Sequence, residues 1–164
     1  MRIRNFKHND AETLAIILHK AVHSVGRKDY SEPQVSAWSP APYSAERFTA
    51  RVSDGRSIFV AVSENDTPMS FIELEQDGHI DCFYCHPDVA GTGVGKALYR
   101  RLQDSAIANG ISCLYVEASE AARRFFLREG FSLISRRDFD IRGVRIHNFA
   151  MSKDLALRDA CEAG

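Results

Sequence analysis

The residues best suited to chemistry form a glycine-rich stretch in the middle of the chain. Residues 86–96, HPDVAGTGVGK, lie between a predicted strand and a predicted helix. Glycines let the backbone fold tightly and bring successive N–H groups close to an anion, and a helix N-terminus adds the positive end of its dipole. The stretch is therefore predicted to bind a phosphate or a pyrophosphate. The alternative is a glycine-rich turn without a ligand.

Two common phosphate-binding motifs do not fit this stretch. A Walker A loop requires glycine where Ala90 stands and serine or threonine where Ala97 stands. The dinucleotide fingerprint requires a spacing that Gly91, Gly93 and Gly95 do not have, and it follows a parallel strand unit rather than hairpins. The sequence thus disfavours a nucleotide triphosphatase and a dinucleotide-binding protein.

Titratable side chains stand on the predicted strand just before this loop. Because side chains two residues apart point to the same face of a strand, one face is predicted to carry His79, Asp81, Phe83 and Cys85. Two groups that can take up a proton would then lie on the approach to the loop. In the alternative interpretation, Asp81 pairs with a surface cation and His79 is solvated.

Three glutamates are further candidates for proton transfer. Glu73 and Glu75 lie on the preceding predicted strand, and Glu117 ends a later one. Two carboxylates on one strand face more often mark an exposed surface, so Glu73 and Glu117 rank below Asp81 as the base. Ser119 is predicted to cap the following helix rather than to act as an acid.

The cysteines do not have the pattern of a metal site. Cys82 and Cys85 stand three residues apart on one predicted strand, so their side chains are predicted to point to opposite faces. No second pair of Cys or His completes a tetrahedral set. No metal is predicted, and the four cysteines, which include Cys113 and Cys161, are expected to be reduced thiols.

The elements that must position these residues follow from the periodicity of the apolar side chains. A period of two predicts strands, and a period near 3.6 predicts helices. In order, the predicted elements are strand 2–6, a helix to about Gly26, a short helix within 27–42, a helix capped by Ser44, three antiparallel strands within 57–86, a helix ending at 109–110, strand 113–117, helix 120–129, and strands 131–139 and 144–152.

Composition narrows the class of protein. With 164 residues, 45% of them hydrophobic, the chain suits one domain with one sizeable core. Its 21 basic and 22 acidic residues give a formal charge of -1, so no positive excess favours binding to nucleic acid. The N-terminus lacks the apolar run of a signal peptide or a membrane span. We therefore expect a cytoplasmic protein without nucleic-acid or membrane partners.

Two segments together resemble the Gcn5-related N-acetyltransferase (GNAT) family. The family's coenzyme A loop reads Gln or Arg, two residues, Gly, one residue, then Gly or Ala, and Gly93 and Gly95 occupy its small positions. Residues 122–131, ARRFFLREGF, resemble the second signature, which is Ala, two residues, Phe-Tyr, three residues, Gly-Phe. The resemblance covers residues 2–152. Within the family, the segments around Trp38 and around Arg142 resemble the bacterial YafP-type subgroup.

The resemblance implies an α/β (α+β) fold. Its sheet would be mixed, mostly antiparallel and seven-stranded, with about four flanking helices, over residues 1–155 before a C-terminal tail, 156–164. It also implies an N-acetyltransferase that uses acetyl-coenzyme A as cosubstrate and acetylates a primary amine by direct attack in a ternary complex. The cofactor-binding residues it implies are Phe83, Tyr84, Cys85, Ala90, Gly91, Thr92, Gly93, Val94, Gly95, Lys96, Ser119 and Phe125.

The resemblance also suggests roles in catalysis and acceptor binding. In related arylalkylamine acetyltransferases, the positions that match His79 and Asp81 resemble a histidine pair that removes a proton, which favours Asp81 and His79 here, with Glu117 as a third catalytic candidate. The acceptor is expected to be a small-molecule or peptide amine, and a homodimer is left open. The predicted acceptor-binding residues are Tyr30, Trp38, Glu73 and Asn148, with core packing as the alternative for Trp38.

The sequence departs from the family pattern at two positions. Ala90 stands where Gln or Arg is usual, which removes one side chain near the phosphates but keeps the backbone cradle. Phe126 stands where many members have a Tyr that protonates the departing thiolate, so another group must supply that proton or the thiolate leaves unaided. The second departure favours an alternative function, a non-catalytic acyl-coenzyme A sensor or interaction module.

Overall fold

The strands form one mixed sheet. The computed structural model describes residues 1–156, so the predicted tail, 156–164, lies outside the described residues except for Ala156, and Cys161 lies outside them too. The order in the sheet is β1-β2-β3-β4-β5-β7-β6, with β4 and β5 parallel and the other neighbours antiparallel, which confirms the predicted seven-stranded sheet. The strands are β1 (Arg2–Asn5), β2 (Ser57–Val62), β3 (Pro68–Leu74), β4 (His79–Cys85), β5 (Cys113–Ala118), β6 (Ser132–Ile141) and β7 (Val144–Asp154).

Five α-helices accompany the sheet in the described residues, where about four were predicted. They are α1 (Ala11–Ser24), α2 (Glu32–Trp38), α3 (Ala45–Arg51), α4 (Val94–Ala108) and α5 (Glu120–Arg128). The predicted caps are present, because the hydroxyls of Ser44 and Ser119 accept hydrogen bonds from the N–H groups of Arg47 and Ala122. No helix in this part of the chain is long and apolar enough to cross a membrane.

The sheet separates two clusters of buried side chains. Along β2 the side chains alternate between them: Phe59 and Ala61 belong to the cluster with Leu98 of α4, and Val60 to the cluster with Leu14 of α1. Cys85 packs against the first cluster and Cys82 against the second, as their spacing predicts. Side chains on opposite faces of β4 therefore pack against different clusters, one with α4 and the other with α1.

A β-bulge in β4 overturns one prediction about this strand. Ile72 of β3 pairs with Phe83 and Leu74 pairs with Ile80, so two residues of β4, Asp81 and Cys82, lie opposite the single residue Glu73. The extra residue reverses the alternation of side chains beyond it.

The face predicted for four β4 residues is therefore wrong. Phe83 and Cys85 pack on the α4 side, whereas His79 and Asp81 line the cavity on the other side of the sheet. The two-residue period fails here because it assumes an unbroken ladder between β3 and β4.

Candidate active site

The centre of the sheet opens between β4 and β5. Their parallel ladder contains two pairs, His79 with Tyr115 and Ile80 with Val116. Beyond this point, within residues 1–156, β4 pairs only with β3 and β5 pairs only with β7. The facing N–H and C=O groups of residues 81–85 are thus available to an extended polar ligand that enters the gap.

The glycine-rich loop lies at the end of this gap. It leads from β4 into α4, and Gly93 precedes the first helical residue in a left-handed conformation with φ of 90°. At the start of α4, the N–H groups of Gly93, Val94, Gly95 and Lys96 donate none of the backbone hydrogen bonds found in the described chain. Four unpaired donors and the positive end of the helix dipole together fit a phosphate or a pyrophosphate.

Glycine suits positions 93 and 95 of the loop for different structural reasons. A Cβ atom on Gly93 would meet no heavy atom within 4 Å, so its side is open for a ligand. A Cβ atom on Gly95 would lie 3.0 Å from Cζ of Phe83, so this glycine lets α4 approach β4 closely. Gly93 thus faces open space where a ligand could bind, and Gly95 allows α4 to pack closely against β4.

A cavity of about 460 Å³ extends from the loop along the gap. Most of the predicted cofactor residues line it: Phe83, Tyr84, Cys85, Ala90, Gly91, Gly93, Gly95, Lys96, Ser119 and Phe125. Thr92 and Val94 do not. The Thr92 hydroxyl turns back to donate to the carbonyl of Val89, and the Val94 side chain is buried in the core. We call this space the cofactor cavity.

A second cavity, of about 480 Å³, lies on the α2 and α3 side of the sheet. His79, Asp81 and Glu117 all line it, as do the predicted acceptor residues Tyr30, Trp38 and Asn148. We call it the acceptor cavity. It shares four lining residues with the cofactor cavity, and these mark the junction of the two: Tyr30, Trp38, Tyr84 and Ser119.

His79 is held between two carboxylates. Its Nε2 atom lies 2.5 Å from Oε2 of Glu117, and its Nδ1 atom lies 3.1 Å from Oε2 of Glu75. Burial opposes the charged imidazolium, but hydrogen bonds and negative charge from Glu117 and Glu75 outweigh it, so the pKa of His79 is raised above its usual value. Glu117 and His79 thus form a coupled pair that can hold a proton at the edge of the acceptor cavity.

Asp81 is engaged by two arginines. Its Oδ2 atom accepts hydrogen bonds from Nη1 of Arg51, at 3.1 Å, and from Nη1 of Arg56, at 2.6 Å. These charge-assisted bonds would compete with any proton that Asp81 took up. Although Asp81 lines the same cavity as Glu117, its Oδ2 atom is already bound to two arginines.

Glu73 lies elsewhere than predicted. Its side chain is fully buried and makes ion pairs with Arg51 and Arg56. It does not line the acceptor cavity, so its predicted contact with the acceptor and its predicted place on an exposed face are both wrong. Two guanidinium groups compensate the loss of water around this carboxylate.

Two groups of side chains that could together bind a metal ion also contact Arg51 or Arg56. Two sets of side chains bring three potential metal-ligand atoms within 4.8 Å of one another, and Asp81 belongs to both. Arg56 donates to Asp81, to Glu73 and to Glu75, which are members of these sets. A guanidinium thus supplies the positive charge that a cation would bring.

The hydroxyl groups at the junction come from residues other than position 126. Phe126 is fully buried against Phe131 and Tyr99, and the neighbouring ring of Phe125 lines the cofactor cavity instead. The Tyr30 hydroxyl donates to the carbonyl of His147 and accepts from the N–H of Glu120, and burial raises the pKa of Tyr30 to about 12.

Tyr84 presents a second phenol at the junction. Burial raises its pKa well above the usual value, so this phenol keeps its proton. The Ser119 hydroxyl accepts from the N–H of Ala122, which leaves its own proton free to be donated.

The sequence prediction missed several residues of the acceptor cavity. Arg47, Arg137, Arg142 and His147 line it, although none was a candidate. Arginines on exposed strand and helix positions are indistinguishable from solvated surface charge in a single sequence. The one local signal was Arg142, which precedes Gly143 in a turn that usually takes Asn, Asp or Gly.

Known proteins match most of the chain. A family model described as an acetyltransferase (GNAT) domain matches residues 27–153. The Escherichia coli K12 protein named uncharacterized N-acetyltransferase YafP is 31% identical over 151 residues, which are 92% of this chain and 94% of that protein. The peptidyl-lysine N-acetyltransferase YjaB of Salmonella typhimurium LT2 is 26% identical over 140 residues, which are 85% of this chain and 89% of that protein.

A solved structure is similar over the same extent. The crystal structure of a GCN5-related N-acetyltransferase from Rhodopseudomonas palustris superposes with a TM-score of 0.86 and 34% sequence identity. The match covers 94% of this chain and 95% of that chain. Sequence and fold therefore agree on the same family.

Proposed function

Because the chain belongs to the GNAT family and is an acetyl-transferring enzyme, we propose that it transfers an acetyl group from acetyl-coenzyme A to a primary amine by direct attack in a ternary complex. The observation that carries this proposal is the junction of the two cavities at the splayed ends of β4 and β5. A thioester in one cavity and an amine in the other would meet there without a covalent enzyme intermediate.

The cofactor cavity has the groups that coenzyme A requires. The unpaired N–H groups at the start of α4 and the side chain of Lys96 suit the pyrophosphate. The free edge of β4 suits the amide groups of the pantetheine arm, and its N–H groups can stabilise the oxyanion that develops on the thioester carbonyl. Bound acetyl-coenzyme A supplies the activated acetyl group.

Glu117 and His79 are the proposed proton acceptors. The attacking amine must lose a proton, and Glu117, near the end of β5, lines the acceptor cavity together with the junction residue Ser119. His79 shares that proton, because Glu75 on its far side stabilises the imidazolium. Asp81 has a secondary role in this scheme, since Arg51 and Arg56 already hold its carboxylate.

The leaving thiolate does not need a hydroxyl group at position 126. A thiol has a pKa near 8.5 in water, so its anion is a competent leaving group at neutral pH. The hydroxyls of Tyr84 and Ser119 line both cavities and can donate hydrogen bonds that stabilise the thiolate as it departs.

Release of free thiol from acetyl-coenzyme A tests the proposed function. The purified protein is incubated with acetyl-coenzyme A and a panel of primary amines, and the thiol is detected with a chromogenic reagent. We expect release that requires both cosubstrate and amine. A protein that binds acetyl-coenzyme A in calorimetry but releases no thiol with any amine would instead be a sensor, and the proposal would be wrong.

Replacing Gly93 by Val is expected to weaken coenzyme A binding by about tenfold or more. A side chain here would extend into the groove and hold the phosphates away from the N–H groups, whose charge-assisted hydrogen bonds are each worth about 1.5–3 kcal/mol. Calorimetry measures the affinity, and circular dichroism checks the fold.

Gly110→Val is the matched control for backbone strain. Gly110 also has a positive φ, 74°, and open space around an added Cβ atom, but it lies at the other end of α4. The affinity of the Gly110→Val variant for coenzyme A should equal that of the unmodified protein. Equal affinities in both variants would remove the loop from the cofactor site.

A further inference from the structure

The acceptor cavity carries an excess of positive charge. Four arginines line it, Arg47, Arg51, Arg137 and Arg142, against the two carboxylates of Asp81 and Glu117. Arg51 is neutralised by Glu73 and Asp81. None of the other three forms an ion pair with a carboxylate anywhere in residues 1–156. Their charge therefore faces the cavity uncompensated.

The three arginines are positioned by groups that leave most of their donors free. The guanidinium of Arg47 lies 4.9 Å from the ring centroid of Tyr43, and Nη1 of Arg137 donates to Oδ1 of Asn148 at 3.2 Å. Nη1 of Arg142 donates to the carbonyl of Ala37. Each guanidinium carries five N–H donors, so at least four remain on each for a ligand. Guanidinium groups suit carboxylates because two parallel hydrogen bonds can form.

The backbone at Arg142 supports a role for its side chain. Arg142 and Gly143 join β6 to β7, and their φ angles are 48° and 77°. Two positive φ angles in a two-residue hairpin turn favour Asn, Asp or Gly at the first position. An arginine there is less favourable for the turn itself, and its side chain reaches the cavity wall beside α2.

The rest of the lining sets the size and character of the acceptor. A volume of about 480 Å³ suits a small molecule rather than a folded protein surface. Aromatic and aliphatic side chains, including Trp38, Phe139 and Ile146, also line it, whereas the three unpaired arginines are exposed to solvent.

We propose that the acceptor is a small primary amine that also carries a carboxylate and an apolar body. The carboxylate would bind among Arg47, Arg137 and Arg142, and the amine would point to Glu117 and the junction. This inference rests on the proposed acetyl transfer for the identity of the reacting group, but the anion site can be measured without turnover.

Binding of matched products tests the anion site. The probes are the N-acetyl derivatives of phenylalanine, leucine and glutamate, each compared with its α-carboxamide, in calorimetry with the protein saturated by coenzyme A. In at least one pair we expect the carboxylate to bind tenfold or more tightly than the amide, with an advantage that shrinks as salt is raised. Equal affinities in all three pairs would overturn the inference.

Substitutions then assign the preference to the arginines. Arg47→Gln and Arg137→Gln should each reduce the carboxylate preference several-fold while the binding of the amides stays within about twofold. Arg145→Gln is the matched control, because Arg145 lies on the same hairpin as Arg137 but pairs with Asp140 outside the cavity. A preference that survives both cavity substitutions, or that Arg145→Gln reduces equally, would contradict the assignment.

Turnover separates this inference from the proposed function. Faster acetylation of phenylalanine, leucine or glutamate than of its amide supports both. Acetylation of the amides, or of lysine in a neutral peptide, as efficient as that of the free amino acids would overturn the anionic acceptor and leave acetyl transfer intact. Carboxylate-selective binding without thiol release would overturn acetyl transfer and leave the anion site intact.

Discussion

Replacing Glu117 by Gln is expected to lower kcat by about a hundredfold to ten-thousandfold, while the affinity for coenzyme A stays the same. The substitution keeps the size of the side chain but removes the carboxylate that we propose accepts the amine proton, and general base catalysis typically contributes a factor in this range. Steady-state thiol release measures kcat, and calorimetry measures cofactor binding. His79→Gln should lose less, and the double variant should lose less than the product of the two.

Two further variants make this assignment specific. Glu120→Gln is the matched control, because Glu120 also pairs with an imidazole, that of His147 at 2.9 Å, but lines neither cavity. It should stay within about fivefold of the unmodified enzyme. Asp81→Asn should lose less than Glu117→Gln. A larger loss in Asp81→Asn would move the base to Asp81, and full activity in Glu117→Gln would leave proton removal to water.

Replacing Glu73 by Gln is expected to destabilise the fold by about 3–5 kcal/mol. This carboxylate is fully buried between Arg51 and Arg56, so its loss leaves two guanidinium groups with less compensating charge in a poorly hydrated site. Urea unfolding followed by circular dichroism gives the free energy of unfolding.

Glu75→Gln is the comparison for this effect. Glu75 also pairs with Arg56, but its side chain is 29% exposed, so water can replace the lost interaction. We expect a loss of about 1 kcal/mol or less. If Glu73→Gln is no more destabilising than Glu75→Gln, the buried cluster does not depend on charge compensation.

The elements and the family could be predicted because their signals are local. The period of apolar residues in α1 and α4 and the capping serines before α3 and α5 each depend on a few consecutive residues. The two signatures around Gly93 and Phe126 predicted the GNAT family, and the segments around Trp38 and Arg142 predicted the YafP-type resemblance; the comparisons confirm both.

The roles of the predicted catalytic and cofactor residues are still predictions, although most of them lie where expected. His79, Asp81 and Glu117 share one cavity, and the glycine loop opens on the other. The sequence ranked Asp81 first because it shares a predicted strand face with His79 and matches the histidine pair of related enzymes, with pairing to a surface cation as the alternative. In the folded protein Asp81 binds two arginines and Glu117 binds His79. For this reason we propose Glu117 rather than Asp81 as the base.

The composition, the order of strands and helices, and the glycine-rich loop before α4 were determined by the sequence alone, since residues near in the chain decide them. The tertiary structure decided which face each side chain of β4 occupies, because the bulge opposite Glu73 depends on pairing with β3. It also decided that Glu73 is buried, since Arg51 and Arg56 stand 22 and 17 residues away in the chain. The arginines of the acceptor cavity come from α3, β6 and the β6–β7 turn, which are far apart in the chain, so only the tertiary structure brings them to one cavity.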